Sequence, residues 1–146
     1  MDPHSLSAEA EFTVEFYDVD SMEIVWHGNY VKYMEKARCA LLNKIGYGYR
    51  AMKESGYAFP VTGVSLKFIR PLRFGESVRV RAVLDEYENR IRIKYEFYNA
   101  EGAVTTRGTS TQMAFHIEKN ESSFECPAFF IERVENMLRE TERDAD

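Results

Sequence analysis

An α+β domain is predicted for this chain, and three observations predict it. Residues 30–45 place Tyr30, Val31, Met34, Ala37, Leu41, Leu42 and Ile45 at spacings of three and four, the period of an amphipathic helix. After a gap, four consecutive segments alternate apolar with polar residues, the period of half-buried strands, and short connections join them. Such connections imply antiparallel pairing, because a parallel pair needs a long crossover. Finally, 146 residues is the length of one domain, able to bury its own core without a disulfide or a metal.

Taken in order, residues 1–9 read as a frayed lead-in to a single domain spanning 1–146. From 11 to 17 the string E-F-T-V-E-F-Y alternates Phe12, Val14 and Phe16 with polar neighbours and reads as the first strand. Asp18-Val19-Asp20-Ser21-Met22-Glu23 has no period and reads as a loop, after which Asn29 is placed to cap the long helix. Gly46 ends that helix. A shorter helix over 49–54 closes at Gly56, and Pro60 prevents its continuation. Then come the strands. Val64, Leu66 and Phe68 alternate up to Pro71; Val78, Val80, Ala82 and Leu84 alternate with Arg79 and Arg81. Ile91, Ile93, Tyr95 and Phe97 alternate with Arg92 and Lys94, and a long strand runs over 104–117. Turn residues punctuate them at Arg73-Phe74-Gly75, Glu88-Asn89-Arg90 and Asn99-Ala100-Glu101-Gly102. A last helix near 129–139 carries Phe130, Val134, Met137 and Leu138 on one face, and 140–146 is a solvated, charged tail. The economical arrangement is one five-stranded antiparallel sheet wrapped around the one long helix, the element able to cover a sheet face.

Composition narrows the function classes. Hydrophobic residues at 45% and charged residues at 29% are the balance of a soluble globular protein rather than a disordered one. A net charge of −5 argues against binding a nucleic-acid backbone. No apolar run approaches the roughly 18–20 residues of a membrane span, and the start Met1-Asp2-Pro3-His4 lacks the basic and apolar regions of a secretory signal. The cytoplasm is therefore the expected compartment. Cys39 and Cys126 are too few for a disulfide framework, and His4, His27 and His116 lie too far apart in sequence to suggest a metal site. Gly46-Tyr47-Gly48-Tyr49-Arg50-Ala51 formally matches a dinucleotide fingerprint but follows a helix instead of a strand. The alternation of Arg79 and Arg81 against Arg90, Arg92 and Lys94 reads as the solvated face of a hairpin, with a grip on coenzyme phosphates as the sharper reading.

Chemistry concentrates in residues 16–30. Two carboxylates, Asp18 and Asp20, leave a strand shortly before the chain enters a helix. A helix N-terminus offers unpaired N–H groups and the positive end of a dipole, which stabilise a developing oxyanion. A carboxylate held beside it can attack an acyl carbon or deprotonate water.

The run D-V-D-S-M-E-I-V-W-H-G-N-Y-V-K-Y-M-E-K-A-R resembles the signature of the 4-hydroxybenzoyl-CoA thioesterase family of the hot-dog fold. That signature reads approximately D-x-D-x-x-G-[IV]-V-[WY]-[HY]-x-x-Y, followed in the helix by Y-x-E-x-A-R. The stretch V-S-L-K-F-I-R-P-L-R-F-G-E-S-V-R-V is similar to the family's second and third strands. The resemblance implies an acyl-CoA thioesterase, with coenzyme A or an acyl carrier protein as the carrier, and a homodimer or homotetramer with no metal or organic cofactor. It implies that Asp20 is the catalytic carboxylate, as nucleophile or as general base toward water. It gives His27 the oxyanion-hole position through its backbone N–H, with a side chain able to orient water or the thioester. Trp26 and Tyr30 line the acyl pocket or pack the helix base, and Asp18 shapes the loop. Tyr57 and Phe59, next to Pro60, fall in a connection that in similar proteins approaches the partner subunit's active site. Glu35 and Arg38 match the helix motif and read as a structural salt bridge. Two positions depart from the pattern: Glu23 stands where the family has glycine, and Phe16 where some members carry a tyrosine. Two other readings on the same fold stay open, a non-catalytic acyl-binding module and a hydratase or dehydratase.

Overall fold

A computed structural model describes residues 1–145. Eight strands and three α-helices occur among them: β1 (Ser7–Thr13), α1 (Asn29–Ile45), α2 (Tyr49–Glu54), β2 (Tyr57–Ala58), β3 (Val61–Phe68), β4 (Ser77–Glu86), β5 (Ile91–Tyr98), β6 (Val104–Gln112), β7 (Ala114–His116), β8 (Glu121–Ser123) and α3 (Ala128–Ala145). The main sheet has five antiparallel strands in the order β1-β4-β5-β6-β3. The predicted α+β architecture is the one observed.

The periods read from the sequence become two facing surfaces. On α1, Tyr30, Tyr33, Met34, Ala37, Leu41, Leu42 and Ile45 are buried. They meet the inward residues of β4 and β5, where Val78, Val80, Ala82, Leu84, Ile91, Ile93, Tyr95 and Phe97 are all at most 2% exposed. Gly108 on β6 lets the layers close. A Cβ built there would lie 2.9 Å from the Ser65 carbonyl oxygen, 3.0 Å from Leu66 Cδ2 and 3.5 Å from Met34 Cε of α1. Gly46 (φ 84°) ends α1 in the left-handed conformation that glycine adopts without strain, its N–H bonding back to Asn43 and Leu42 carbonyls. On α3, Phe130, Val134 and Leu138 are buried, and Phe130 stacks with Tyr47 and Phe59.

Several expectations are corrected. Residues 1–9 are not frayed: Pro3–Ser5 form a 3-10 turn, Leu6 is fully buried, and β1 starts at Ser7. His4 holds this end down, its Nε2 lying 2.5 Å from Asp85 Oδ1. The first strand stops at Thr13 instead of continuing to 17. The Glu15 N–H donates to the Asp18 carboxylate, closing a 3-10 turn over Phe16–Asp18 and leaving Phe16 71% exposed. The strand expected over 104–117 breaks at Met113, whose N–H donates to the Pro60 carbonyl, and the chain beyond joins a second sheet ordered β2-β7-β8. The last helix does not end near 139: α3 continues through Ala145 and carries the charged, largely exposed segment expected to follow it; Asp146 lies outside the described residues. Among the described residues no helix is long and apolar enough to cross a membrane.

Candidate active site

The segment between β1 and α1 is folded by its own polar atoms. The Asp20 N–H donates to the Ile24 carbonyl and the Glu23 N–H to the Asp20 carbonyl, while the Met22 N–H reaches the Asp20 carboxylate at 2.8 Å. These bonds make a tight turn and hold the Asp20 side chain by one oxygen, Oδ1, leaving the carboxylate exposed. Glu23 completes the turn with φ 62°, the left-handed region that favours glycine. Its side chain is exposed and does not line the pocket described below.

Asp18 acts as the brace. Its carboxylate accepts the Glu15 N–H at 3.0 Å, and its carbonyl accepts both the Trp26 N–H and Asn29 Nδ2. The expected Asn29 cap is corrected here: Gly28 is the N-cap of α1, and Asn29 is the first helical residue, tying the helix start to the loop. Val25 is buried, and its N–H donates to the Leu72 carbonyl, anchoring the loop to the segment between β3 and β4.

These constraints bring Asp20, His27 and Tyr30 to one pocket of about 260 Å3. Among the described residues nothing accepts the His27 N–H, which stands at the N-terminal end of α1. Tyr30, 3% exposed, stacks edge-on against Phe68 at a centroid distance of 4.8 Å, and burial pushes its phenol pKa up. A carboxylate, a free backbone donor at a helix start and an apolar wall thus share one cavity. That combination serves attack on a carbonyl carbon, where charge develops on the carbonyl oxygen.

The other sequence candidates sit elsewhere. Trp26 is 53% exposed and packs beside the His27 ring, covering Gly28, without lining this cavity. Tyr57 lies on β2 against His116, and Phe59 is 6% exposed between Tyr47 and Phe130, so within one protomer neither joins Asp20. Glu35 and Arg38 form the expected ion pair on α1. Sequence reasoning passed over Phe68, Ile69 and Arg70 as pocket residues. Their signal was the end of an alternating segment running into Pro71, which by itself indicates a strand terminus. Among the described residues no group of three His, Cys, Asp or Glu side chains is placed to hold a metal ion.

Comparison with known proteins adds four findings. The family model described as the thioesterase-like superfamily matches residues 14–134. A Bacillus subtilis protein named "Putative acyl-CoA thioesterase YneP" is 30% identical over 118 residues, covering 80% of this chain and 83% of its own length. Among solved structures, hypothetical protein TT1821 from Thermus thermophilus superposes with a TM-score of 0.80 at 27% identity, covering 89% of this chain and 98% of that one. DHNA-CoA thioesterase from Staphylococcus aureus shares the fold, with a TM-score of 0.80 at 22% identity over 96% of this chain and 95% of that one.

Proposed function

The chain belongs to the thioesterase-like superfamily and is a thioester hydrolase of the hot-dog fold, and from that premise we propose that it cleaves acyl-coenzyme A thioesters with Asp20 as the reacting carboxylate. The observation that carries the proposal is the convergence of the Asp20 carboxylate, the free His27 N–H and the buried Tyr30 ring on one cavity at the start of α1.

In the base route, the Asp20 carboxylate takes a proton from water as the water oxygen bonds to the thioester carbon. The carbonyl oxygen becomes an oxyanion, which the His27 N–H stabilises with the positive end of the α1 dipole. Collapse of this intermediate breaks the C–S bond, and the departing thiolate receives the proton held by Asp20. In the nucleophile route Asp20 itself bonds to the acyl carbon and expels the thiolate, and water then hydrolyses the mixed anhydride. A single turnover in 18O-labelled water, read beside the mass of rapidly quenched protein, separates them. Label in the Asp20 carboxylate, delivered when water attacks the Asp20 carbon of the anhydride, identifies the nucleophile route; attack at the acyl carbon labels the free acid as the base route does, and there the nucleophile route is identified by protein carrying the acyl group on Asp20. Thiol release from short, long and aromatic acyl-CoAs, with acyl carrier protein thioesters beside them, identifies the acyl group and the carrier. Silence across that panel from folded protein would overturn the proposal.

A second copy of the chain belongs to this reading. β3 is an edge strand with β6 as its one partner in the sheet, and all but one of its residues are exposed. Val64 and Phe68 on it, with Ile69 just beyond, are 43%, 51% and 43% exposed, and Phe68 and Ile69 line the Asp20 pocket. An exposed apolar edge of this kind is covered in a stable protein by another strand or another subunit. Pairing through β3 places a partner protomer against the open side of the cavity, as expected of a homodimer or of a tetramer built from such dimers.

A further inference from the structure

A concavity larger than the Asp20 pocket lies away from it. It is a trough of about 660 Å3 that shares no residue with the Asp20 pocket. Strand register explains its shape and its charge. Across β3, β6, β5 and β4, Lys67 pairs with Arg107, Arg107 with Glu96, and Glu96 with Arg81, so four long charged side chains form one row. Two residues along, on the same face, Ser65, Thr109, Lys94 and Val83 form the next row. Three of these four are short. The trough is the low ground they leave between Lys94 and the charged row, and the Ser65 and Thr109 hydroxyls sit 2.6 Å apart on its floor.

The walls are cationic in a chain whose net charge is −5. Among the described lining residues Glu96 is the one carboxylate, and it is occupied by Arg107 at 3.4 Å and by the Tyr98 hydroxyl at 3.0 Å. Lys94 leans on Asp85, which it shares with Arg92 and His4. Lys67 and Arg81 have no ion-pair partner among the described residues. Two unpaired cations across a floor bearing hydroxyls suit phosphate oxygens, since guanidinium and ammonium groups bind them through charge-assisted hydrogen bonds. Val83 and the aliphatic stems of the wall residues offer a flat, apolar seat beside them. The volume falls within the range of small-molecule sites.

We infer that this trough binds the polyphosphate end of a nucleotide. Two sources carry that chemistry, a free nucleoside polyphosphate and the phosphoadenosine diphosphate end of coenzyme A. The coenzyme source rests on the thioesterase reading; the binding itself does not.

The test is calorimetric titration of the full chain with ATP, with 3′,5′-ADP and with inorganic pyrophosphate, at low and at high salt. Wild type is compared with the Lys67→Ala/Arg81→Ala double variant, with Lys67→Arg, and with Arg50→Ala as a surface control on α2. The double variant loses roughly tenfold or more in affinity for at least one of the nucleotides, as removal of charged hydrogen-bond donors predicts. Lys67→Arg and the control retain it, and high salt weakens the wild type. If CoA thioesters then lose kcat/KM in the double variant while pantetheine thioesters do not, the coenzyme is the source. If both thioesters are unaffected, it is a free nucleotide. Equal affinity of double variant and wild type, with matching melting temperatures, overturns the inference, and so does failure of the wild type to bind any of the three.

Discussion

Glu23 carries a cost at the level of a single residue. It keeps the left-handed backbone that a glycine would adopt freely, and its carbonyl accepts the Phe74 N–H at 3.2 Å, so the turn stays closed around it. A side chain in that region costs about 1 kcal/mol. Glu23→Gly is therefore expected to raise unfolding stability by up to about that amount in urea titration while leaving the Asp20 turn intact; a loss of stability would mean that the carboxylate makes a contact outweighing the strain. The residue was legible in sequence as a departure from a glycine pattern. Its outward direction was not, because the direction depends on the Asp20–Ile24 turn. Cys126 makes a second prediction. Burial pushes its thiol pKa up to about 12, with the Glu86 charge adding to the rise, whereas Cys39 is exposed. A thiol reagent at neutral pH should label one equivalent in the native protein and two after denaturation; two equivalents in the native state would contradict the packing around Cys126.

Among elements, the N-terminal 3-10 turn gives the clearest pH dependence. Asp85 is held below the usual carboxylate range, chiefly by the hydrogen bond from His4 and then by Lys94, against the opposing effect of burial. A carboxylate whose pKa is lower folded than unfolded adds stability above its unfolded pKa and loses it as pH falls through the folded one. The clasp should therefore weaken in acid, below about pH 4. Asp85→Asn should cost about 1 kcal/mol at pH 7 and flatten the acid limb of the stability curve; an unchanged acid limb would show that the turn is held by Leu6 alone. This clasp was invisible in sequence because its partners are distant along the chain. The same reason hid the break at Met113, where Pro60 from another segment takes over the pairing. α1 and α2 were legible because their periodicity and glycine stops are local. The extension of α3 through 145 was missed because a run of charge was read as solvation, although Glu, Arg and Ala are also good helix formers.

The whole molecule depends on close contact between α1 and its sheet. Gly108→Val would drive atoms into the Ser65 carbonyl and Met34, and should lower stability by roughly 1–3 kcal/mol with a matching fall in melting temperature; an unchanged melting temperature would show that the layers yield there. On β3, the edge strand next to Gly108, the proposed pairing predicts that Val64→Glu shifts sedimentation from dimer to monomer. The fold was legible as a whole because helix period and strand alternation are repeated over many residues. Of the residues lining the candidate pocket, Asp20 and His27 were singled out through their motif, whereas Phe68 to Pro71 were not, because the chain returns to the pocket there from another element. The most direct test of the account compares thiol release from acyl-CoA substrates by wild type and by Asp20→Asn, with both melting curves in hand. The account predicts equal melting temperatures and a loss of at least about 10²–10³ in kcat for the variant, by analogy with removal of an oxyanion donor. A variant that folds normally and keeps most of its turnover would contradict the central role of Asp20.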